Sequence, residues 1–320
     1  MVDSLQILQG NCLSTLKTLP HKSVHCCVTS PPYWGLRDYG CEGQIGLETT
    51  PQEYVNNISA VFRLVYNVLR DDGTLWLNIG DSYNGYKGNA CRDTSGSEYA
   101  GFRNQPARES GHGLECKDLK PKDLIGIPWR VAFALQAEGW YLRSDIIWHK
   151  PNPMPESVTD RCTRSHEYIF LLSKSKKYYF DAEAIKEPCS AANILDFARR
   201  KTLNNKGRGK GSYEEIRPDL CRNRADYMPG DFRRNKRDVW TVQTKPCKEA
   251  HFAVFPEKLI EPCILAGCPV GGIVLDPFAG SGTTGRVALE LGRKAILCEL
   301  NQKYIPIIKR QTNIPVGLNL

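Results

Sequence analysis

The stretch from Gly271 to Glu299 constrains the fold most. Gly271-Gly272-Ile273-Val274-Leu275-Asp276 is a short apolar run rich in β-branched residues, and Gly280-Ser281-Gly282 is a glycine turn. From Thr283 to Leu291, the residues Val287, Ala288 and Leu291 share one helical face, and Lys294-Ala295-Ile296-Leu297-Cys298-Glu299 is a second apolar run. Strand, turn, helix and strand in so little chain predict a crossover between parallel strands. The N-terminal part repeats the theme. Val24-His25-Cys26-Cys27-Val28-Thr29 reads as a buried strand stopped by Ser30-Pro31-Pro32. Val55, Ile58, Val61, Phe62, Val65, Val68 and Leu69 follow at helical spacing until Asp71-Asp72-Gly73, and Gly73 to Gly80 reads as the next strand. The expectation is an α/β chain on a parallel sheet.

Further along, a helix is expected over residues 121–138, strands at Ser144–Trp148 and Tyr168–Leu172, and a last helix from Gln302 to Arg310 that Pro306 disfavours. Lys150-Pro151-Asn152-Pro153-Met154-Pro155 between the two strands predicts an extended, proline-stiffened loop. Two segments lack periodicity. Residues 80–120 are rich in Gly, Ser, Asn and charge and read as a long loop; residues 182–237 are polar and basic, with few apolar pairs, and read as an inserted module. The organisation expected is therefore 1–181, an insert at 182–237, and a return to the sheet over 238–320.

The chain has 320 residues and a net charge of +8. Residues 199–237 hold 13 Lys or Arg against 5 Asp or Glu, so this one segment carries the whole excess. A single basic block on a balanced protein points to a polyanion, with a solvated loop as the plainer reading. No stretch approaches roughly 18 consecutive apolar residues, so no membrane span is expected. The first residues have no basic region before an apolar run, so no secretory signal is expected either. The 13 cysteines include no Cys-x-x-Cys. They read as reduced buried thiols in a cytoplasmic, nucleoid-associated protein rather than as a metal site, and Cys263 and Cys268 are only a weak metal signal.

Two motifs carry chemistry. In Asp276-Pro277-Phe278-Ala279-Gly280-Ser281-Gly282-Thr283-Thr284 a strand runs into a glycine turn and a helix, where backbone can approach a ligand closely. Glu299 ends the next strand, where a carboxylate can accept hydrogen bonds from ribose hydroxyls. Together they describe a nucleoside pocket. No Gly-Lys-Ser/Thr follows the glycines, which excludes a phosphate-binding P-loop. The second motif is Thr29-Ser30-Pro31-Pro32-Tyr33-Trp34. Its prolines make a rigid turn that presents carbonyls, a hydroxyl and an aromatic ring. Ser30 Oγ and the Pro31 carbonyl can accept the hydrogens of an exocyclic amino group while Tyr33 stacks on a flat base.

As a pair, the motifs resemble those of the S-adenosylmethionine-dependent DNA amino-methyltransferases, which act on cytosine-N4 or adenine-N6. Ser30-Pro31-Pro32-Tyr33 matches the family's catalytic motif, Asp276 to Thr283 its cofactor motif, and Phe255-Pro256-Glu257-Lys258-Leu259 a stretch typical just before the latter. Catalytic motif first, then basic insert, then cofactor motif is the order of the β group. The resemblance implies a doubly wound, mostly parallel, Rossmann-like sheet with one antiparallel strand. It implies S-adenosylmethionine held by Asp276, Phe278, Ala279, Gly280, Ser281, Gly282 and Thr283, with Glu299 on the ribose and Phe255 and Pro256 on the methionine side. It implies Ser30, Pro31, Pro32 and Tyr33 around a base flipped out of double-stranded DNA. Residues 182–237 would recognise the target, with Arg233, Arg234, Lys236 and Arg237 as the densest cluster on the DNA. No metal is implied, and a cognate restriction endonuclease is a possible partner.

Ser30 tilts the reading toward cytosine-N4, with adenine-N6 as the alternative; methylation of RNA or a protein glutamine, and a non-catalytic nucleic-acid-binding regulator, stand further off. Asn78 and Asp81 are candidates to border the pocket. Trp34 is balanced between stacking platform and core, and Trp148 reads as core. His149-Lys150-Pro151-Asn152 reads as a structural loop, with a substrate contact as the alternative, and His166-Glu167 as a surface pair, with acid/base work as the alternative.

Overall fold

The computed structural model describes residues 4–85, 116, 118–189, 233–244 and 255–313. They fall into two compact units, one within Met1–Asp181 and Asp238–Leu320, the other within Ala182–Arg237.

The first unit holds an eight-stranded sheet. Its elements are β1 (Leu5–Gln9), α1 (Cys12–Thr15), β2 (Val24–Thr29), α2 (Pro51–Val68), β3 (Leu69–Ile79), α3 (Ile127–Ala137), β4 (Tyr141–His149) and β5 (His166–Ser173). In the second unit, β6 (Glu187–Pro188) and β7 (Arg233–Arg234) form a short antiparallel ladder of their own. The first unit resumes with β8 (Val239–Thr241), α4 (Glu257–Gly267), β9 (Ile273–Asp276), α5 (Thr283–Glu290), β10 (Lys294–Glu299) and α6 (Ile305–Thr312). The strand order is β1-β10-β9-β2-β3-β5-β4-β8. Every strand runs the same way except β5, which is antiparallel to both β3 and β4. This is the doubly wound, mostly parallel sheet that the resemblance implies.

Helices cover both faces, which explains the adjacent buried thiols of β2. Cys27 joins the core beneath α2 and α3, together with Leu75, Leu77 and Phe62. Cys26 points the other way, toward the end of α4. A Cβ placed on Gly267 would lie 2.5 Å from Trp76 Nε1 and 2.8 Å from Cys26 Sγ, so only a glycine lets α4 come this close. A strand buried on both faces cannot alternate apolar with polar residues.

Several boundaries differ from the sequence expectation. Asp71-Asp72-Gly73 does not separate helix from strand but lies inside β3, because Leu69 already pairs with Val24 of β2 before a register shift. Helix α3 starts late, after Gly126 in the left-handed conformation (φ 77°). Pro306 falls in the first turn of α6, where the missing N–H costs nothing, so the helix runs on to Thr312. Helix α2 starts at a full capping box, Thr50 with Glu53, and a proline in its first turn. Strands β1 and β8 and helix α4 had no clear sequence signal: β1 is a half-exposed edge strand, and β8 has only three residues. Most of the loop expected at 80–120 and of the basic insert lies outside the described residues. Among the described residues no helix is long and apolar enough to cross a membrane.

Candidate functional site

The site lies where β2, β9 and β10 end together. Strand β2 pairs with β9 in parallel register, Cys27 opposite Leu275, so both chemistry-bearing motifs leave the same edge of the sheet. A direct bond joins them: Thr29 Oγ1 donates to Asp276 Oδ1 at 2.6 Å. Asp276 is buried, yet three donors surround it. Besides Thr29, the Phe278 N–H donates to Oδ1 at 3.0 Å and Thr284 Oγ1 to Oδ2 at 2.6 Å. The carboxylate thus clamps the strand end, the glycine turn and the first turn of α5. Burial still pushes its pKa up against these bonds. Asp276 therefore orients the turn.

Glu299, at the end of β10, faces the same turn. Its Oε2 accepts the Gly280 N–H at 2.8 Å and its Oε1 the Asn301 N–H at 2.7 Å. Burial raises its pKa to about 7, opposed by these backbone bonds. A carboxylate has about four lone-pair positions, so these backbone bonds leave capacity for a further donor. Gly280 and Gly282 hold left-handed φ values of 54° and 89°. A Cβ on Gly280 would meet open space beyond its neighbours, leaving the turn's outer side bare, whereas one on Gly282 would press Ile308 at 3.1 Å. Ser281 Oγ and Thr283 Oγ1 lie 3.2 Å apart, and both residues, like Ala279, are buried. Bare glycine backbone beside a carboxylate with spare lone pairs fits the adenosyl group of S-adenosylmethionine. Half-buried Phe255 and buried Pro256 lead into α4, whose Glu257 ion-pairs with Arg286 of α5.

The catalytic-motif candidates occupy the neighbouring turn. The Pro32 carbonyl accepts the hydroxyl of Tyr54, from α2, at 2.9 Å. Gly46 lies over Pro32 and Tyr33, and its carbonyl accepts the Gly35 N–H at 2.8 Å. Tyr33 packs against Gly80 at the end of β3; a Cβ there would sit 2.6 Å from Tyr33 Cε2. The Tyr33 hydroxyl donates to Glu167 Oε2 at 2.7 Å, lies 3.2 Å from Asn78 Oδ1, and receives Ser30 Oγ at 3.4 Å. Burial and the Glu167 charge push the phenol's pKa well up, so it stays protonated.

Glu167 is thus no surface residue. It is the second residue of β5, whose reversed direction carries this end to the edge where the parallel strands finish. Lys150 pairs with Glu167 Oε1 and lies 4.3 Å above the Trp148 ring. Asn78 Nδ2 donates to Glu167 Oε2 at 3.3 Å and to the Tyr168 carbonyl at 3.1 Å. So Asn78, Lys150 and Glu167 belong to the site's surroundings. A charged residue just before the apolar run Tyr168–Leu172 was the available signal, but sequence alone did not show which strand it would face.

Other candidates resolve differently. Asp81 caps α3, accepting from the Gly126 and Ile127 N–H groups at 3.0 and 2.9 Å. Trp34 is buried, with Nε1 donating to the Glu48 carbonyl at 2.9 Å, and belongs to the core. Trp148 is core as well. In the second unit, Arg234 and Arg237 both donate through Nε to Glu187 Oε1, at 2.9 and 2.6 Å. Arg233 and Lys236 complete that cluster, and the rest of the basic block lies outside the described residues. Among the described residues no group of three or more His, Cys, Asp or Glu could hold a metal ion.

Comparison with known proteins agrees with this geometry. The DNA methylase family model (N6_N4_Mtase) matches residues 24–310. Type II methyltransferase M.Cfr9I of Citrobacter freundii is 47% identical over 94% of this chain and 85% of its own. Type II methyltransferase M.SmaI of Serratia marcescens is 45% identical over 96% of this chain and 90% of its own. The solved structure of PvuII DNA methyltransferase (cytosine-N4-specific) shares the fold with a TM-score of 0.62 at 18% identity, covering 99% of this chain and 89% of that one. The structure of TTHA0409 of Thermus thermophilus, complexed with S-adenosyl-L-methionine, does so with a TM-score of 0.54 at 21% identity, covering 96% of each chain. Two motifs joined at the sheet edge, and a match over nearly the whole chain, make this protein a member of the N6/N4 DNA methylase family of S-adenosylmethionine-dependent DNA amino-methyltransferases.

Proposed function

We propose that the protein methylates the N4 amino group of a cytosine flipped out of double-stranded DNA, as the modification enzyme of a restriction–modification pair. The observation that carries the reading is the 2.6 Å bond from Thr29 to Asp276, which ties Ser30 to the cofactor turn. The cofactor supplies an electrophilic methyl group on a sulfonium. The protein's residues position and exclude. Asp276 and Glu299 fix the glycine turn, and Glu299 takes the ribose hydroxyls; Phe255, Pro256 and Phe278 line the remainder.

An exocyclic amino nitrogen is a poor nucleophile because its lone pair is delocalised into the ring. Ser30 Oγ and the Pro31 carbonyl, each holding one amino hydrogen, favour a pyramidal nitrogen whose lone pair points at the methyl. Catalysis of this kind is mainly orientation and electrostatics. Tyr33, held by its hydroxyl and by Gly80, offers its remaining ring surface to the base. A base inside a duplex cannot reach such a pocket, so extrusion is required. The unit within Ala182–Arg237 supplies target recognition, with Arg233, Arg234, Lys236 and Arg237 on phosphates.

Serine at the first motif position favours cytosine-N4, and the cytosine-N4-specific PvuII DNA methyltransferase shares the fold. Mass spectrometry of nucleosides from DNA treated with the protein and S-adenosylmethionine tests this. N4-methylcytosine is expected. N6-methyladenine would replace the assignment by the other amino group, and unmodified DNA would overturn both.

A further inference from the structure

We infer that Glu167 is the final acceptor of the proton released by the methylated amino group, reached through Ser30 and Tyr33. The inference rests on the amino-methyltransferase reading and holds for either base. The geometry shows a directed chain. Tyr33 has one hydrogen, and the shortest bond of its hydroxyl, 2.7 Å, runs to the Glu167 carboxylate. Its oxygen is therefore an acceptor toward Ser30 Oγ at 3.4 Å. Ser30, donating its hydrogen toward Tyr33, turns its lone pairs to whatever lies in front of the Pro-Pro turn. A serine held this way accepts an amino hydrogen, which a serine donating into the pocket would not. Hydrogen bonds in such chains polarise one another.

The chain also meets a requirement of the chemistry. A neutral amino group that forms an N–CH3 bond must break one N–H bond to return to neutrality. Serine is too weak a base to keep that proton. In the step, the amino proton moves to Ser30 Oγ, the Ser30 proton to Tyr33 Oη, and the Tyr33 proton to Glu167 Oε2. The nitrogen keeps the N–H electron pair, the departing thioether keeps that of the broken S–CH3 bond, and the one positive charge lost from sulfur reappears as the proton on Glu167. No further reactant is needed. Lys150 on Oε1 and Asn78 Nδ2 on Oε2 hold the carboxylate in place beforehand. The other titratable group alongside is His166, whose pKa burial lowers and which senses Arg164, Glu167 and Lys150; Arg164 itself faces Asp81 at 3.9 Å. At 16% side-chain exposure Glu167 is shielded from bulk water, so the proton's route runs through the protein. Glu167 touches neither base nor cofactor; it is a positioning and proton-accepting residue that acts through Tyr33.

The test uses the full-length protein, duplex DNA and S-adenosylmethionine at saturation, read by single-turnover methyl transfer between pH 5.5 and 8.5. Glu167→Gln keeps the shape but cannot take the proton. Tyr33→Phe removes the link and leaves the Lys150–Glu167 pair untouched. Each is expected to lower the single-turnover rate about 100-fold, the usual scale for a proton-transfer group. Dissociation constants for cofactor and DNA stay within about twofold, and the variant rates climb with pH as hydroxide replaces the carboxylate. The double variant is no slower than the slower single one, because both cut the same chain. A Glu167→Gln rate equal to wild type at every pH overturns the inference, as does a loss seen only in ligand affinity, or multiplicative effects in the double variant. An inactive wild-type protein would instead sink the amino-methyltransferase reading, so the two failures are distinguishable.

Discussion

With Glu299 on the ribose hydroxyls as proposed, cofactor affinity should depend on pH in the physiological range. Burial lifts its pKa to about 7, and ribose hydroxyls, as donors, need the ionised form. With that pKa, about one site in ten is ready at pH 6 and about nine in ten at pH 8, so the apparent dissociation constant for S-adenosylmethionine should be about tenfold weaker at pH 6. Binding at pH 6 should release close to one proton, falling toward none at pH 8. Glu299→Gln is the decisive control, because the cofactor's own amino group also titrates. The amide keeps one acceptor oxygen for the Gly280 or Asn301 N–H but loses charge-assisted bonds worth about 1.5–3 kcal/mol, so affinity should fall roughly tenfold to a hundredfold. The part of the pH slope that belongs to Glu299 should vanish with it. Calorimetry in two buffers of different ionisation enthalpy reads both quantities. Wild type and variant showing the same slope from pH 6 to 8 would refute the reasoning.

The same shift has the opposite sign for stability. Without cofactor, the folded protein keeps a proton on Glu299 that the unfolded chain has released above its ordinary value of 4.5, so the group's stabilisation is present below about pH 4.5 and lost as pH rises through about 7. The loss reaches about 3.5 kcal/mol at about 1.4 kcal/mol per unit, and denaturant midpoints of wild type and Glu299→Gln should draw apart between about pH 4.5 and 7 and keep a constant offset outside that window; curves parallel throughout would contradict it. Gly80→Ala puts a Cβ 2.6 Å from Tyr33 Cε2, so the ring must move and the Tyr33–Glu167 bond must break. Single-turnover activity should fall at least about tenfold, a cost typical of misplaced groups at a reacting centre, while cofactor binding persists; full activity would show that Tyr33 tolerates displacement. Replacing Arg233, Arg234, Lys236 and Arg237 by Gln should flatten the salt dependence of DNA binding by up to about 0.9 in log–log slope per lost phosphate contact. An unchanged slope would place the interface elsewhere.

Much of the fold was legible because a central parallel strand has only one way to be written. Val24–Thr29 and Ile273–Asp276 are buried on both faces, so each is a continuous apolar run that ends abruptly at proline or glycine. Peripheral elements had no such signature: β1 is half exposed, and α4 contains Pro262, which argues against a helix on local grounds. Asp71-Asp72-Gly73 looked like a break because a sequence window cannot see that β2 takes up the register shift.

The site divides along the same line. Local chemistry named Ser30, Tyr33, Asp276, Gly280 and Glu299, since a proline-stopped turn, left-handed glycines and a strand-terminal carboxylate are properties of short segments. Partnership across the sheet was not local. That Thr29 bonds Asp276, that Tyr54 holds the Pro32 carbonyl, and that Glu167 lies under Tyr33 all follow from strand order. The sequence alone determined which residues could handle an amino group and a nucleoside. Only the tertiary structure decided which of them meet, because the reversed direction of β5 brings a carboxylate from the far side of the chain to the edge where the parallel strands end.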